Sequence, residues 1–139
     1  MARFLILDGY PKFDRDALVM SGATQASLLY RDMVREYRPM AEIDIAFPAD
    51  PDCTIPDLGG YDAMLWTGSS LTIYDQEPEV TRQIELGREG FRRGLAAFGS
   101  CWGLQLAAIA AGGTCQRNPK GREFGLTQGI RLTDAGRAH

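Results

Sequence analysis

Histidine is almost absent from this 139-residue chain: the single one, His139, is its last residue. Cysteine is scarce too. Cys53, Cys101 and Cys115 are odd in number, widely spaced and contain no C-x-x-C pair. That pattern disfavours a disulfide framework or a zinc site and fits a reducing cytoplasmic setting. No run of about 18 apolar residues exists, so no membrane span is expected. The opening stretch Met1 to Leu7 is too short for the apolar core of a signal peptide and is broken by Asp8, so it reads as a first strand. An excess of basic residues is also missing. Lys and Arg number 15 against 18 Asp and Glu, a net charge of −3 with the signs interspersed, which argues against nucleic acid as a partner. The turn after the first strand, Asp8-Gly9-Tyr10-Pro11, lacks a glycine-rich phosphate cradle and disfavours a nucleotide binder. Nothing in the pattern calls for a metal or another cofactor.

What is present alternates between strand and helix signals. Residues 3–7 are a compact apolar run of the kind that parallel strands buried on both faces display. A helix is expected over 16–37, with Leu18, Leu29, Met33 and Tyr37 inward, Gly22 as a weak point and Arg38-Pro39 as its end. Residues 41–47 alternate apolar and acidic side chains, a half-exposed strand near a sheet edge. A Pro- and Asp-rich loop over 48–60 carries Cys53, a thiol with no basic neighbour in sequence. Residues 61–66 form the next strand and Thr67-Gly68-Ser69-Ser70 the turn at its carboxyl end. A charged amphipathic helix over 79–93 is expected to bury Val80, Ile84 and Phe91 and to stop at Gly94. A buried strand over 95–98 leads to a helix reaching about residue 111, apolar nearly all round, and Gly112-Gly113 caps it. A brief strand at 114–116 and a strand or hairpin over 123–133 complete the reading. The length suits one domain, 1–139. Alternating strands and helices predict an α/β fold, a doubly wound and mostly parallel sheet with helices on both faces. Such folds bind ligands outside the carboxyl ends of their strands, where 67–70 and Ser100-Cys101 both lie.

Cys101 stands at the apex of a turn flanked by Gly99 and Gly103, with a helix beginning directly after it. Glycine on both sides permits a sharp turn and close backbone approach. The unpaired N–H groups at a helix start favour a thiolate. A buried structural cysteine is the alternative, and the paired glycines favour a nucleophile elbow instead.

The segment Gly99-Ser100-Cys101-Trp102-Gly103-Leu104-Gln105 resembles the G-x-C-x-G-x-Q motif of the class I, triad-type glutamine amidotransferases. The resemblance extends to the strand and loop from Tyr61 to Ser69, the helix end Ala110-Ala111-Gly112-Gly113 and the stretch from Asn118 to Gly125. It is greatest for stand-alone members similar to the amidotransferase part of GMP synthase. It implies a flavodoxin-like sheet and a glutaminase activity: a cysteine attacks the side-chain amide of L-glutamine, leaving a γ-glutamyl thioester and ammonia for an acceptor. By that resemblance Cys101 is the nucleophile, the backbone N–H groups of Gly68 and Trp102 form the oxyanion hole, and Gln105 helps to hold the substrate. Many relatives have a second glycine and a proline where this chain has Ser69-Ser70, a departure that bears on loop stiffness.

The family's nucleophile works with a histidine base oriented by a carboxylate, close together on a later loop. His139 has no carboxylate after it and does not match that loop. The resemblance therefore implies a domain incomplete at its C-terminus, a partner chain that supplies the base, or a non-catalytic remnant. An incomplete domain would leave a sheet edge or apolar face uncovered, inviting self-association. Three functions stay open: a glutamine amidotransferase domain serving a synthase domain or subunit, a γ-glutamyl amide or peptide hydrolase on the same fold, and a non-catalytic binding or regulatory module.

Overall fold

A computed structural model of the chain describes residues 1–123 and 125–139. Strands β1 (Arg3–Leu7), β2 (Glu42–Ala46), β3 (Ala63–Trp66) and β4 (Ala96–Gly99) build one sheet in the order β2-β1-β3-β4. Every pairing is parallel, with Leu5 opposite Asp44 and Met64, and Leu65 opposite Phe98. The expected α/β doubly wound sheet is present, in the flavodoxin-like order that reverses direction at β1 and β3.

The β1 sequence explains its place. Three consecutive apolar residues, Leu5, Ile6 and Leu7, are each fully buried. The pleat sends Leu5 and Leu7 to one face and Ile6 to the other, so both faces need helical cover. Helices α1 (Lys12–Met20), α2 (Ala26–Tyr37), α3 (Pro78–Arg92), α4 (Trp102–Ala110) and the short α5 (Asp134–Ala138) follow in chain order. Val34 of α2 packs with Ile6 and Leu65 on one face. Val80 and Ile84 of α3, with Trp102 and Leu106 of α4, pack on Leu5, Leu7, Met64 and Trp66 on the other.

Several expectations are corrected. The single helix over 16–37 is two helices broken at residues 21–25. Gly22 adopts φ +90°, and the Ala23 N–H returns to the Leu18 carbonyl, which ends α1. The second helix restarts where the buried Asp8 carboxylate accepts a hydrogen bond from the Ser27 N–H at 3.1 Å. That contact sets the helix phase: Ser27 and Val34 face inward, while Leu29, Met33 and Tyr37 are exposed. On α3 the inward face is Val80, Gln83, Ile84, Gly87 and Gly90, with Phe91 half-buried. The strand before Cys101 is not buried. β4 is an edge strand whose Ala96, Ala97 and Phe98 are exposed, Phe98 by 54%. Helix α4 buries only Trp102, Gly103 and Leu106, and Leu104 is 65% exposed. An apolar helix needs cover on all sides to be buried all round, and nothing among the described residues lies beyond β4. Neither 114–116 nor the described part of 123–133 forms a strand; Phe124, within that second range, lies outside the described residues. No helix is long and apolar enough to cross a membrane among the described residues.

One buried ion pair ties the β1–α1 turn to the loop after β2. Arg15 Nη2 meets Asp50 Oδ2 at 2.7 Å, and the guanidinium lies 4.1 Å from the centre of the Phe47 ring. Arg15 Nη1 donates to the Tyr10 carbonyl at 2.8 Å, and Asp50 Oδ1 accepts from the Lys12 N–H at the start of α1. Removing one partner of a buried pair leaves the other charge without compensation. Asp50→Ala is therefore expected to lower unfolding stability by about 3 kcal/mol in urea melts; a loss within error of zero contradicts the clamp.

Candidate active site

The site starts from backbone strain. Cys101 adopts φ 53° and ψ −108°, and it is the only non-glycine residue with positive φ among the described residues. Such a conformation costs on the order of 1–3 kcal/mol and persists only where its surroundings enforce it. Here they do. A Cβ on Gly99 would lie 2.7 Å from the Gly103 carbonyl carbon, and one on Gly103 would lie 2.8 Å from Trp66 Cβ and the Trp66 carbonyl oxygen. Only glycines let the turn close this tightly against the end of β3. The closure leaves Cys101 exposed at the N-cap of α4, while Trp102 and Gly103 are buried beneath it. Beside the turn, the Tyr30 hydroxyl and Ser100 Oγ are 2.8 Å apart.

The ends of β1 and β3 form the adjoining wall. Gly9 is wedged between the turn and the 67–70 loop: a Cβ there would lie 2.8 Å from Trp102 Cδ1 and 2.9 Å from the Gly68 carbonyl oxygen. Three hydrogen bonds hold it. The Gly9 N–H donates to Thr67 Oγ1 at 3.0 Å, and Ser69 Oγ donates to the Gly9 carbonyl at 2.7 Å. The fully buried Gln83 amide donates to the Glu79 carbonyl at 3.0 Å and the Gly9 carbonyl at 3.4 Å, and its oxygen accepts from Trp102 Nε1 at 3.1 Å. The Trp102 indole and the Gly68 carbonyl thus both close on one glycine.

Ser69 and Ser70 occupy the positions where the family motif suggested a different loop. Their side chains latch it: Ser69 Oγ also accepts from the Leu71 N–H at 3.1 Å, and Ser70 Oγ donates to Asp14 Oδ2 at 2.5 Å. These hydroxyl contacts fasten the loop to Gly9 and to α1.

Gln105 is exposed one turn along α4 and borders a cavity of about 790 Å³ shared with Ser69, Tyr74, Arg117 and Glu123. The Cys115 thiol, half-buried, donates to the Gln105 carbonyl at 3.6 Å. Cys53 is half-buried against the core, away from these residues. His139 is exposed after α5 and has no hydrogen bond or ion pair among the described residues. No group of three or more metal-binding side chains gathers among the described residues.

Sequence reasoning missed Tyr10 and Gln83. Tyr10 follows Gly9, and its phenol oxygen lies 3.5 Å from where a Gly68 Cβ would sit. Burial, then the charges of Cys101, Asp8 and Asp14, push its phenol above the ordinary range. A detectable signal existed for Gln83. It sits between Val80 and Ile84 on the inward face of an amphipathic helix, where a polar residue needs a buried partner.

Fold and turn together define the class: a doubly wound parallel α/β domain that presents a strained cysteine at a helix start. No family model matches the chain. Over 142 residues it is 37% identical to a γ-glutamyl-L-1-hydroxyisopropylamide hydrolase from a Pseudomonas species, an alignment covering 99% of this chain and 48% of that protein. The crystal structure of a glutamine amidotransferase from Methylobacillus flagellatus shares the fold, with a TM-score of 0.55 at 16% identity, over 86% of this chain and 42% of that one. The chain is thus similar in sequence to a γ-glutamyl amide hydrolase and shares the fold of a glutamine amidotransferase. It spans about half the length of the curated relative it matches.

Gln83→Leu leaves the Trp102 indole N–H without a partner in a buried setting and the Gly9 carbonyl with Ser69 alone. Urea unfolding is expected to show a loss of about 2 kcal/mol, accompanied by altered Trp102 fluorescence. Unchanged stability and emission would show that Gln83 does not hold the wall.

Proposed function

We propose that the chain carries the nucleophilic half of a site that cleaves γ-glutamyl amide bonds, with L-glutamine as the simplest substrate. The observation that carries this reading is the Cys101 turn. An exposed thiol sits on strained backbone at the start of a nine-residue helix, and the next residue, Trp102, packs its indole against Gly9, which also approaches the Gly68 carbonyl. In the first step the Cys101 sulfur attacks the γ-carbonyl carbon. The C–N bond breaks, the thiol proton goes to the departing nitrogen, and a γ-glutamyl thioester remains. Water then releases glutamate and restores the thiol. The backbone N–H groups of Gly68 and Trp102 stabilise the oxyanion that develops in each step. Gln105 holds the glutamyl end. Arg117 and Glu123, on the cavity it borders, supply charges of both signs suited to a zwitterionic amino acid.

A second reading, hydrolysis of substituted γ-glutamyl amides rather than transfer of ammonia to a synthase, is favoured by the name of the 37% identical relative. Both readings share the nucleophile and the thioester and differ in the leaving amine.

His139 is exposed and has no hydrogen bond or ion pair among the described residues, so nothing described orients it as a base for Cys101. General-base catalysis contributes roughly 10²–10⁴-fold, so glutamate release by the 139-residue chain is expected to be slow and to rise with added imidazole. Cys101→Ala is expected to abolish both the basal and the imidazole-dependent release. Rapid release that imidazole leaves unchanged would contradict the missing base, and release surviving in Cys101→Ala would overturn the nucleophile.

The uncovered face supports self-association as a further part of this proposal. Among the described residues β4 presents an unpaired strand edge beside the exposed Phe98 and Leu104. Sedimentation velocity is expected to show concentration-dependent dimers that weaken in Leu104→Lys; a monomer at every concentration contradicts this.

A further inference from the structure

The residues on either side of Cys101 are tied to opposite layers of the fold. Trp102, which follows it, is held by Gln83 of α3 through its indole N–H at 3.1 Å. Ser100, which precedes it, is held by Tyr30 of α2: the two hydroxyl oxygens are 2.8 Å apart, a hydrogen bond spanning 70 residues of sequence. Val80 and Ile84 place α3 on the Leu5 and Leu7 face of the sheet, and Val34 places α2 on the Ile6 face. The elbow therefore receives one side-chain hydrogen bond from each side of the sheet.

The Tyr30 hydroxyl is delivered to Ser100 by parts that leave it little freedom. The bond from the Ser27 N–H to the buried Asp8 carboxylate fixes the phase of α2, and Tyr30 follows about one helical turn further on. Its half-buried ring packs on the cluster of Ile6, Val34 and Leu65 and lies 6.2 Å, centre to centre, from the Phe98 ring. Packing around the ring directs the hydroxyl to one place. At the other end, the Ser100 carbonyl accepts from the Gly103 N–H at 3.0 Å, so Ser100 is fixed to α4 by its backbone and to α2 by its side chain. Gly99 and Gly103 permit the turn but exert no pull on it. A non-glycine backbone at φ 53° stays there only while contacts of this kind oppose its relaxation.

We propose that Tyr30 is a positioning residue for the nucleophile: its hydrogen bond to Ser100 braces the elbow from the α2 side and sets the direction in which the Cys101 sulfur meets the γ-glutamyl carbon. This rests on the reading of Cys101 as the nucleophile and adds to it a residue that acts through Ser100. The consequence is selective. A reaction that needs only an exposed thiol is indifferent to a small rotation of the sulfur. A reaction whose electrophile is held in place loses rate when the reacting atoms are misaligned. Removing the Tyr30 hydroxyl therefore slows the second kind and spares the first.

The test compares two electrophiles on Cys101, both read by mass spectrometry of its peptide. Iodoacetamide reports an accessible thiol. The chloromethyl ketone analogue of L-glutamine, with a chloromethyl group in place of the amide nitrogen, binds first and then alkylates. Its chloride leaves without a proton, so the reaction asks for no base. Tyr30→Phe is expected to lower the maximal rate of labelling by the analogue about tenfold, with the half-saturating concentration and the iodoacetamide rates of Cys53, Cys101 and Cys115 unchanged. Ser100→Ala and the double variant should each show that same loss rather than its square, because all three break one contact. Circular dichroism verifies folding. Losses that multiply, a Tyr30→Phe chain labelled as fast as the parent, or a change in half-saturation alone overturns the positioning role. So does an equal change with iodoacetamide, at Cys101 or at the other two cysteines, since that reports general loosening. If iodoacetamide modifies Cys101 in the parent chain but the analogue does not, the γ-glutamyl reading itself fails and the role of Tyr30 with it; a Cys101 inert to both also overturns both.

Discussion

The left-handed backbone at Cys101 is the constraint on which the site depends. A non-glycine residue at φ 53° is unfavourable by itself, so the surroundings must hold it there. Gly103 permits that by pressing its backbone onto Trp66 at the end of β3, and Gly99 by yielding room to Gly103. Trp102, the next residue, is anchored through its indole N–H to Gln83, and Gln83 in turn reaches the Gly9 carbonyl. Strain at one residue is thereby spread over three strand ends and one helix. The sheet order matters for the same reason: only with β1 and β3 adjacent do Gly9 and Gly68 meet beside the elbow.

A second layer of contacts holds the mouth of the crevice. Asp8, at the end of β1, is fully buried and accepts from the backbone N–H groups of both Tyr10 and Ser27. It thus orders the turn carrying Tyr10 and starts α2. Arg15 grips the Tyr10 carbonyl from α1 and is neutralised by Asp50. Ser69 and Ser70 fasten the 67–70 loop to Gly9 and α1. This polar frame gives the loop its shape without the proline of many relatives.

Much of this was legible in the residues. The apolar run of β1, the alternation in β2 and the glycines around Cys101 carry direct local signals, and the strands and the elbow fall where those signals lie. What was not legible depended on tertiary neighbours. The phase of α2 is set by Asp8 across 19 residues, so the periodicity of Leu29, Met33 and Tyr37 pointed to the wrong face. The apolar composition of β4 and α4 spoke for burial, yet burial needs a covering element, and Phe98 and Leu104 stand exposed. Tyr10 lay in a turn judged only for phosphate binding, and its nearness to Gly68 emerges only when β1 and β3 pair.

The central claim is that Cys101 is a nucleophile toward a γ-glutamyl carbonyl, and trapping the covalent intermediate tests it most directly. The chain incubated with glutamine or γ-glutamyl-p-nitroanilide, quenched in acid and digested should carry a γ-glutamyl group on the Cys101 peptide. A thioester bears hydroxylamine-labile mass, so hydroxylamine treatment should remove it. The account predicts that adduct on Cys101 and none on Cys53 or Cys115. An adduct on either of those two, or none on Cys101 while glutamate is still released, would contradict it.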